Sequence, residues 1–229
     1  MAAGFDPLTQ PIVQSTALPA LAPTSLELDF ICAAFSHPVK WQVEPVFTES
    51  FHADAFPPEG VVQAAVLVPL VQRPSGLHVL FTRRASHLYD HAGQIAFPGG
   101  RIEPSDHDAI AAALRETHEE VGIAPEYVQF IGTHPGFLTS TGFTMKPIIG
   151  LVRPGFTITP DETEVAEVFE VPLSVLMDTS LHRLHRADLP DGRNRVYFSL
   201  TWESYFIWGA TAALIRNLYH YLAAAEKQI

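Results

Sequence analysis

The stretch that decides the fold runs from Gly99 to Ile123 and reads GGRIEPSDHDAIAAALRETHEEVGI. It opens with two glycines, and its second half predicts a helix from about residue 106 to residue 121. Ser105 is the predicted N-cap, with Asp108 three residues later in the capping-box position. Gly122 is a natural residue for the end of the helix because glycine readily adopts the left-handed conformation found there. The stretch is therefore predicted to be a loop that feeds a well-delimited helix.

Three carboxylates, those of Glu116, Glu119 and Glu120, fall close together on this predicted helix. At about 100° per residue they lie off a narrow apolar stripe that can pack on a sheet. The members of that stripe are Ile110, Leu114, Thr117 and Val121. Clustered carboxylates repel each other, and a hard cation such as Mg²⁺ or Mn²⁺ would relieve the repulsion. The alternative is a solvated acidic face that Arg115 partly compensates.

Composition narrows the class of protein. The 229 residues are 47% hydrophobic and carry a formal net charge of −11. This charge argues against a nucleic-acid partner, which needs a basic face, and no apolar run reaches the length of a membrane span. A bound divalent cation would reconcile an acidic protein with a phosphate substrate, although acidity also serves solubility alone. The single cysteine, Cys32, and the absence of a secretory pattern predict a cytoplasmic protein.

Domain organisation follows from composition along the chain. Residues 1–25 are rich in Pro, Ala, Thr and Gln and are predicted to be a flexible N-terminal arm. Residues 26–229 are predicted to form one domain with an N-terminal helical extension, a helix capped by Ser25 and ending near Phe35. A long helix is predicted from Phe206 to Ala225. Strands are predicted at 61–71, 78–82, 94–97, 128–133, 144–152, 165–171 and 195–201. The predicted fold class is α/β, a mixed β-sheet sandwiched between α-helices.

The segment from Arg115 to Ile123 resembles the end of the Nudix signature, Arg-Glu-hydrophobic-x-Glu-Glu-x-Gly-hydrophobic. The front half differs from the general signature, because one extra residue separates Gly100 from Arg115 and Asp106 stands in place of Glu. This departure resembles the coenzyme A pyrophosphatase branch of the superfamily. So does an upstream motif that runs from Leu80 to Phe97-Pro98-Gly99-Gly100 with the spacing of the branch. Tyr89 departs from that motif, in which the branch has an arginine.

The resemblance implies a Nudix fold and hydrolysis of a diphosphate bond with Mg²⁺ or Mn²⁺ as cofactor. For coenzyme A or its derivatives the products would be 3′,5′-adenosine bisphosphate and 4′-phosphopantetheine or its acyl form. Glu116 and Glu120 are the expected direct metal ligands. Glu119 is expected to be either a third ligand or the general base, and the sequence leaves both roles open.

Three more residues are candidates for substrate binding. Arg84 is a candidate for a phosphate contact, with an ordinary surface arginine as the alternative. Gly99 and Gly100 allow a ligand to approach the backbone closely, with a plain tight turn as the alternative. Arg115 is expected to be structural, anchoring a carboxylate such as Asp106 or Glu103.

Two further functions remain open. One is hydrolysis of ADP-ribose or a dinucleotide, which Tyr89 favours; the other is a Nudix domain that binds a nucleotide without turning it over. The three intact glutamates argue against the second. The expected partner in every case is a small nucleotide. The sequence leaves the oligomeric state open, with a homodimer as one alternative.

Overall fold

The computed structural model describes residues 5–14, 17–48, 60–88, 91–139, 142–189, 192 and 194–229. These residues form twelve β-strands and four α-helices. The strands are β1 (Ile12–Gln14), β2 (Val62–Arg73), β3 (Gly76–Arg84), β4 (Ile95–Ala96), β5 (Gly99–Arg101), β6 (Val128–Thr133), β7 (Phe137–Leu138), β8 (Phe143–Val152), β9 (Val165–Pro172), β10 (Arg183–Asp188), β11 (Asn194–Trp202) and β12 (Tyr205–Trp208). The helices are α1 (Leu28–Ser36), α2 (Ala109–Val121), α3 (Leu173–Leu176) and α4 (Ala210–Ala225). None of the helices in this part of the chain has both the length and the apolarity needed to span a bilayer.

The central sheet is mixed and contains β2 to β9. Its main order is β4-β3-β2-β8-β6, with β5 paired to β2, β7 to β8 and β9 to β3. The pairing of β2 with β8 is parallel and runs from Val62 opposite Phe143 to Val71 opposite Val152, whereas the other pairings are antiparallel. The long apolar run of β2 suits this central place, because a strand covered on both faces needs apolar residues at consecutive positions.

Layers form on both faces of this sheet. Ala65 and Leu67 of β2 pack with Ala112 and Ala113 of α2. The alternate residues of β2, such as Val66 and Val68, pack in the larger cluster that includes α1, α4 and β11. The predicted α/β class, with a mixed sheet between helices, is therefore confirmed.

A second sheet has the order β1-β10-β11-β12 and is antiparallel throughout. Its edge strand β1 comes from the N-terminal residues that were predicted to form an arm. Further contacts hold this part of the chain, since the Tyr197 hydroxyl donates to the Pro7 carbonyl over 2.7 Å and the Leu18 N–H donates to Thr179 Oγ1 over 2.7 Å. The division of the chain at residue 25 stays a prediction, but the described residues before it lie against the domain.

The predicted starts of the first and the last helix were wrong. Ser25 does not cap the first helix, because it lies in the 3-10 turn Pro23–Leu26 and α1 begins only at Leu28. The last helix begins at Ala210, because residues 205–208 form β12, which pairs with β11 across a tight turn. Glu203 in that turn has φ 51°, a conformation that ends the strand sharply. Short or polar strands, β1, β5, β7, β10 and β12, were not predicted.

Candidate metal and catalytic site

Helix α2 begins at Ala109, three residues later than predicted, and its N-cap is Asp108, not Ser105. The Asp108 carboxylate accepts the Ala111 N–H over 2.8 Å, which satisfies one of the free donors of the first turn. The preceding turn closes separately, because the Asp106 carboxylate accepts the Glu103 N–H over 2.8 Å. The C-terminal prediction is confirmed, since Gly122 has φ 77° and its N–H bonds to the His118 carbonyl.

The face of α2 that meets the sheet is rotated from the predicted stripe. Ile110 is half-buried but packs against the cluster of Ala65 and Leu67 as predicted, whereas Leu114 is half-buried and belongs to no described core cluster, which corrects its assignment. The buried residues are Ala112, Ala113, Thr117, Glu120 and Val121. The two alanines let the helix lie close to the sheet. Thr117 is tolerated on this face because its hydroxyl donates to the Ala113 carbonyl over 2.6 Å. The rotation carries Glu120 from the margin of the apolar stripe into the buried face.

Glu120 is the most buried of the three glutamates of α2, with only 5% of its surface exposed. One carboxylate oxygen accepts the Gly99 N–H over 3.1 Å, and the other lies 3.9 Å from Arg84 Nη1. Burial raises the pKa of Glu120 to about 8. The Gly99 and Arg84 contacts oppose that rise, while the charges of Glu116 and Glu164 add to it. An ionised Glu120 is thus short of positive charge in the metal-free protein.

Glu116 packs directly against the second glycine of the loop. A Cβ added at Gly100 would lie 2.6 Å from Glu116 Oε2, so only glycine leaves room for this carboxylate. At Gly99 a Cβ would lie 2.6 Å from the Val66 Cα, and φ is +153°. Burial raises the pKa of Glu116, and the bond from Arg115 opposes that rise. The two glycines therefore bring the loop against both buried carboxylates.

Arg115 organises the acidic side of α2. Its Nε and Nη2 each donate over 3.0 Å to Asp106, so the predicted anchoring of Asp106 is confirmed. Its Nη1 donates to Glu116 over 3.0 Å and to Glu119 over 2.9 Å. Asp106 and Glu116 raise the pKa of Arg115 above its usual range, and the bonds from Arg115 and from the Glu103 N–H lower the pKa of Asp106. The Glu119 side chain remains 57% exposed, so of the three glutamates it is the most open to water.

Sequence reasoning missed Glu164 as a member of this site. The Glu164 carbonyl accepts the Ala85 N–H over 2.8 Å, and Val165 is opposite Arg84 in the pairing of β9 with β3. This register brings Glu164 beside the strand from which Arg84 reaches Glu120. Its charge raises the pKa of both Glu116 and Glu120. Only the start of the strand at Val165 hinted at its place, and nothing local in the sequence specifies which strand β9 joins.

The donor chemistry of the site fits a hard divalent cation. Among the described residues, no three His, Cys, Asp or Glu side chains converge in a ready-made metal site. Arg115 accounts for part of this, because it holds Glu116 and Glu119 from one side while Glu120 turns to Gly99. Oxygen donors alone, with one carboxylate buried and short of positive charge, are the set that Mg²⁺ or Mn²⁺ prefers. Glu116 and Glu120, with Glu119 once released from Arg115, could hold such an ion.

The structure thus brings together five of the six predicted site residues, Arg84, Gly99, Gly100, Glu116 and Glu120, while Glu119 lies at the exposed rim. Tyr89, the departure from the upstream motif, lies outside the described residues.

Comparison with known proteins shows which family the chain belongs to. The NUDIX domain model matches residues 61–190. An uncharacterized Nudix hydrolase NudL from Enterobacter sp. (strain 638) is 48% identical over 158 residues, which cover 68% of this chain and 80% of the relative. The NudL protein of Salmonella newport (strain SL254) is 46% identical over the same shares of the two chains. Among solved structures, the Nudix hydrolase RenU from M. smegmatis matches with a TM-score of 0.42 and 23% identity, covering 51% of this chain and 81% of that one. Because the domain match spans more than half of the chain and the NudL relatives are nearly half identical to it, the chain belongs to the Nudix hydrolase family.

Proposed function

We propose that this Nudix hydrolase uses Mg²⁺ or Mn²⁺ to cleave the diphosphate bond of coenzyme A or its derivatives. The products are 3′,5′-adenosine bisphosphate and 4′-phosphopantetheine or its acyl form. The observation that carries the proposal is that Glu116 and Glu120 contact the Gly99-Gly100 loop. That loop ends the upstream motif that resembles the coenzyme A pyrophosphatase branch. The same loop therefore joins the catalytic carboxylates to the part of the sequence that favours this substrate.

Glu116 and Glu120 bind the metal in this proposal, and Glu119 is a third ligand or the general base. When held there, such an ion would polarise the phosphoryl oxygens of the substrate and would lower the pKa of a bound water. Glu164 is a second candidate for the base, because it lies by Arg84 and its charge acts on both metal-binding carboxylates. Either carboxylate can take the proton of an attacking water from the edge of the site.

Arg84 and the two glycines bind the diphosphate in this proposal. Within the described residues Arg84 Nε is buried without a hydrogen-bond partner, and the guanidinium lies beside Glu120 without close pairing. A phosphate oxygen would satisfy both the donor and the charge. The two glycines contribute by bringing the loop against Glu116 and Glu120, so that a diphosphate held by Arg84 would meet these carboxylates.

A second candidate function is hydrolysis of ADP-ribose or a dinucleotide. Tyr89 supports it, because a phenol cannot supply the charge of the arginine that the branch carries at this position. A domain that only senses nucleotides fits less well, since a binding site without chemistry gains nothing from a buried carboxylate such as Glu120.

A substrate panel tests the proposal directly. Coenzyme A, an acyl-coenzyme A, ADP-ribose and diadenosine tetraphosphate are incubated with Mg²⁺ or Mn²⁺ and the wild type, Glu120→Gln or Glu126→Gln. We expect coenzyme A substrates to be cleaved fastest, with at least about a hundredfold loss of kcat in Glu120→Gln. Glu126→Gln is the matched control, because Glu126 is exposed in a 3-10 turn after α2. Faster turnover of ADP-ribose than of coenzyme A would rule out coenzyme A as the preferred substrate. If none of the compounds were turned over, the proposed hydrolase activity would be wrong.

The substitution Tyr89→Arg tests the remaining departure. If coenzyme A is the substrate of the native site, restoring the arginine of the branch should change kcat/KM by only a few-fold, within about 1 kcal/mol. A gain of about a hundredfold on coenzyme A alone would mean that the native site serves another substrate.

A further inference from the structure

A cavity of about 280 Å³ lies beside the loop that leads into the candidate site. Its walls are residues 6–8 of the N-terminal segment, residues 92–95, Arg83, and Ser204, Phe206 and Trp208 at β12. The volume approaches that of small-molecule pockets, and aromatic rings with a few polar groups are their usual lining. Nothing in the chemistry at Glu116 and Glu120 uses this cavity.

The N-terminal wall of the cavity is held in place by contacts to the second sheet. The Phe5 ring packs edge-on against Tyr197 and lies 4.8 Å from the Arg195 guanidinium. The Tyr197 hydroxyl and a His185 ring nitrogen bond to the Pro7 and Gln10 carbonyls over 2.7 and 3.0 Å. These residues precede the NUDIX match, which starts at residue 61. The domain therefore gains one wall of this cavity from a segment outside the family's matched region.

The cavity and the carboxylates lie on opposite faces of one sheet edge. Neighbouring side chains of a strand point to opposite faces, so Arg84 reaches Glu120 while Arg83 lies over the Tyr205 ring of β12. The edge between the two faces is thin, because the Arg84 N–H donates to the Gln94 carbonyl and the Gly93 N–H donates to the Arg84 carbonyl. A ligand that reached from one face to the other would have to bend around this edge, which a flexible chain can do and a rigid ring system cannot.

The charges of the cavity favour a neutral ligand. Arg83 is already paired with Glu167 over 3.2 Å, and the Asp6 carboxylate accepts the Leu8 N–H over 3.0 Å. Among the residues that the structure describes, Arg83 is the one cation and Asp6 the one anion of the lining, so a phosphorylated nucleoside would gain no net attraction from them and would meet the Asp6 charge. Amides can bond to Ser204 and Gln94, and methyl or methylene groups can pack on Leu8 and Phe206.

We propose that this cavity binds the pantetheine arm of the substrate and that residues 6–8 determine which arms fit. The inference rests on the proposed function only in naming coenzyme A as the source of the arm. Pantetheine is flexible, uncharged and rich in amides, and it has apolar carbons between them, so it matches both the bend and the lining. The adenosine part then stays on the carboxylate side of the edge.

Calorimetric binding to the two halves of the substrate tests this assignment. The full chain with Mg²⁺ is titrated with 4′-phosphopantetheine and, separately, with 3′,5′-adenosine bisphosphate. Ser204→Trp fills the cavity from the exposed β11–β12 turn, and Ser75→Trp makes the same change in the exposed β2–β3 turn at the far end of β3. We expect Ser204→Trp to weaken the binding of 4′-phosphopantetheine by at least about tenfold and to leave the affinity for 3′,5′-adenosine bisphosphate unchanged. Ser75→Trp should alter neither.

A second pair of variants tests the N-terminal wall without adding bulk. Leu8→Ala removes a side chain that lines the cavity, whereas Ile12→Ala removes another exposed aliphatic side chain of the same segment, in β1. Only Leu8→Ala should raise KM for coenzyme A, by about three- to tenfold with kcat nearly unchanged. Equal weakening of both half-ligands by Ser204→Trp, or no effect of Ser204→Trp and Leu8→Ala, would overturn the inference.

Binding also separates this inference from the proposed function. If coenzyme A is not cleaved but 4′-phosphopantetheine still binds and depends on Ser204 and Leu8, the proposed function fails and the cavity assignment stands. If coenzyme A is cleaved and 4′-phosphopantetheine binds independently of both residues, the function stands and the cavity assignment fails.

Discussion

Glu120 carries its carboxylate on the face of α2 that packs against the sheet, with a side chain only 6% exposed. A buried carboxylate costs free energy when it is ionised without a close cation. Arg84, at 3.9 Å, is too distant to pair with it fully. A structural role would be served better by an uncharged residue, so the cost is consistent with a carboxylate retained for metal binding.

The pH dependence of stability should expose this cost in the metal-free protein. Glu120 has a pKa of about 8 in the folded state and an ordinary value of 4.5. The folded state therefore holds a proton that the unfolded state has lost between pH 4.5 and 8, and stability falls as the pH rises through this window. In chelator, Glu120→Gln should be more stable than the wild type at pH 8.5, by on the order of 5 kcal/mol, and the advantage should vanish near pH 4.5. Urea unfolding at several pH values measures this, and an advantage that is independent of pH would contradict the assignment.

The two glycines of the loop should respond differently to alanine. At Gly100 the added Cβ would displace the Glu116 carboxylate, whereas at Gly99 it would collide with the backbone of β2. Gly100→Ala should lower kcat by about ten- to a hundredfold and change the midpoint of thermal unfolding little. Gly99→Ala should destabilise the fold by about 2 kcal/mol or more, because backbone atoms cannot move aside cheaply. Activity and thermal unfolding are measured for both variants. Similar losses of kcat and of stability in Gly99→Ala and Gly100→Ala would contradict the prediction that the two glycines have different roles.

At the scale of single elements, the position of helix α2 is set by its two ends and by the loop before it. Asp108 caps the N-terminus, Gly122 ends the helix, and Arg115 ties the helix to the preceding turn through Asp106. The existence of the helix, the Gly122 end and the Asp106 contact were predictable because each depends on residues close in sequence. The N-cap was mispredicted at Ser105 because residues 103–106 close a separate turn, in which Asp106 accepts from Glu103 and Arg115, so the helix begins only after Asp108.

The corrected N-cap gives a direct prediction. Asp108→Ala should destabilise the protein by about 1 kcal/mol, because the Ala111 N–H loses its acceptor. Ser105→Ala should change stability by less than about 0.5 kcal/mol, since Ser105 is exposed and does not cap the helix. Chemical unfolding of the two variants compares them, and a larger loss in Ser105→Ala would restore the cap that the sequence predicted.

At the scale of the whole molecule, strands that are distant in sequence pair in ways that no local sequence pattern predicts. The apolar run of β2 predicted a buried strand, but its parallel pairing with β8, in which the partners lie 81 residues apart in sequence, depends on the complete sheet. Glu164 enters the site for the same reason, since the pairing of β9 with β3 places it by Arg84. Strands such as β10 escaped prediction because their alternating residues are largely polar and only the second sheet gives them a place. The carboxylates of one helix were therefore predictable, whereas the carboxylate supplied by another strand was not.

The stability of the protein at low pH tests the contact between His182 and Arg216 of the C-terminal helix α4, on the far side of the sheet. His182 is buried, its Nε2–H donates to the Leu176 carbonyl over 2.9 Å, and Arg216 of α4 lies 3.5 Å from its other ring nitrogen. Burial lowers the pKa of His182 from 6.5 to about 4, and the Arg216 charge adds to this. Protonation is thus harder in the folded state, so the stability present above pH 6.5 is lost as the pH falls toward 4, by up to about 3 kcal/mol.

The substitution His182→Gln keeps an amide donor for Leu176 and removes the titration. This variant should lose less stability than the wild type between pH 6.5 and 4, although it starts from a lower value at neutral pH because the ring packing is lost. His107→Gln is the matched control for the exchange of histidine for glutamine, because the His107 side chain is 93% exposed. Parallel pH profiles for His182→Gln and the wild type would mean that His182 does not stay neutral in the fold, and that the acid sensitivity of the α4 side arises from other groups.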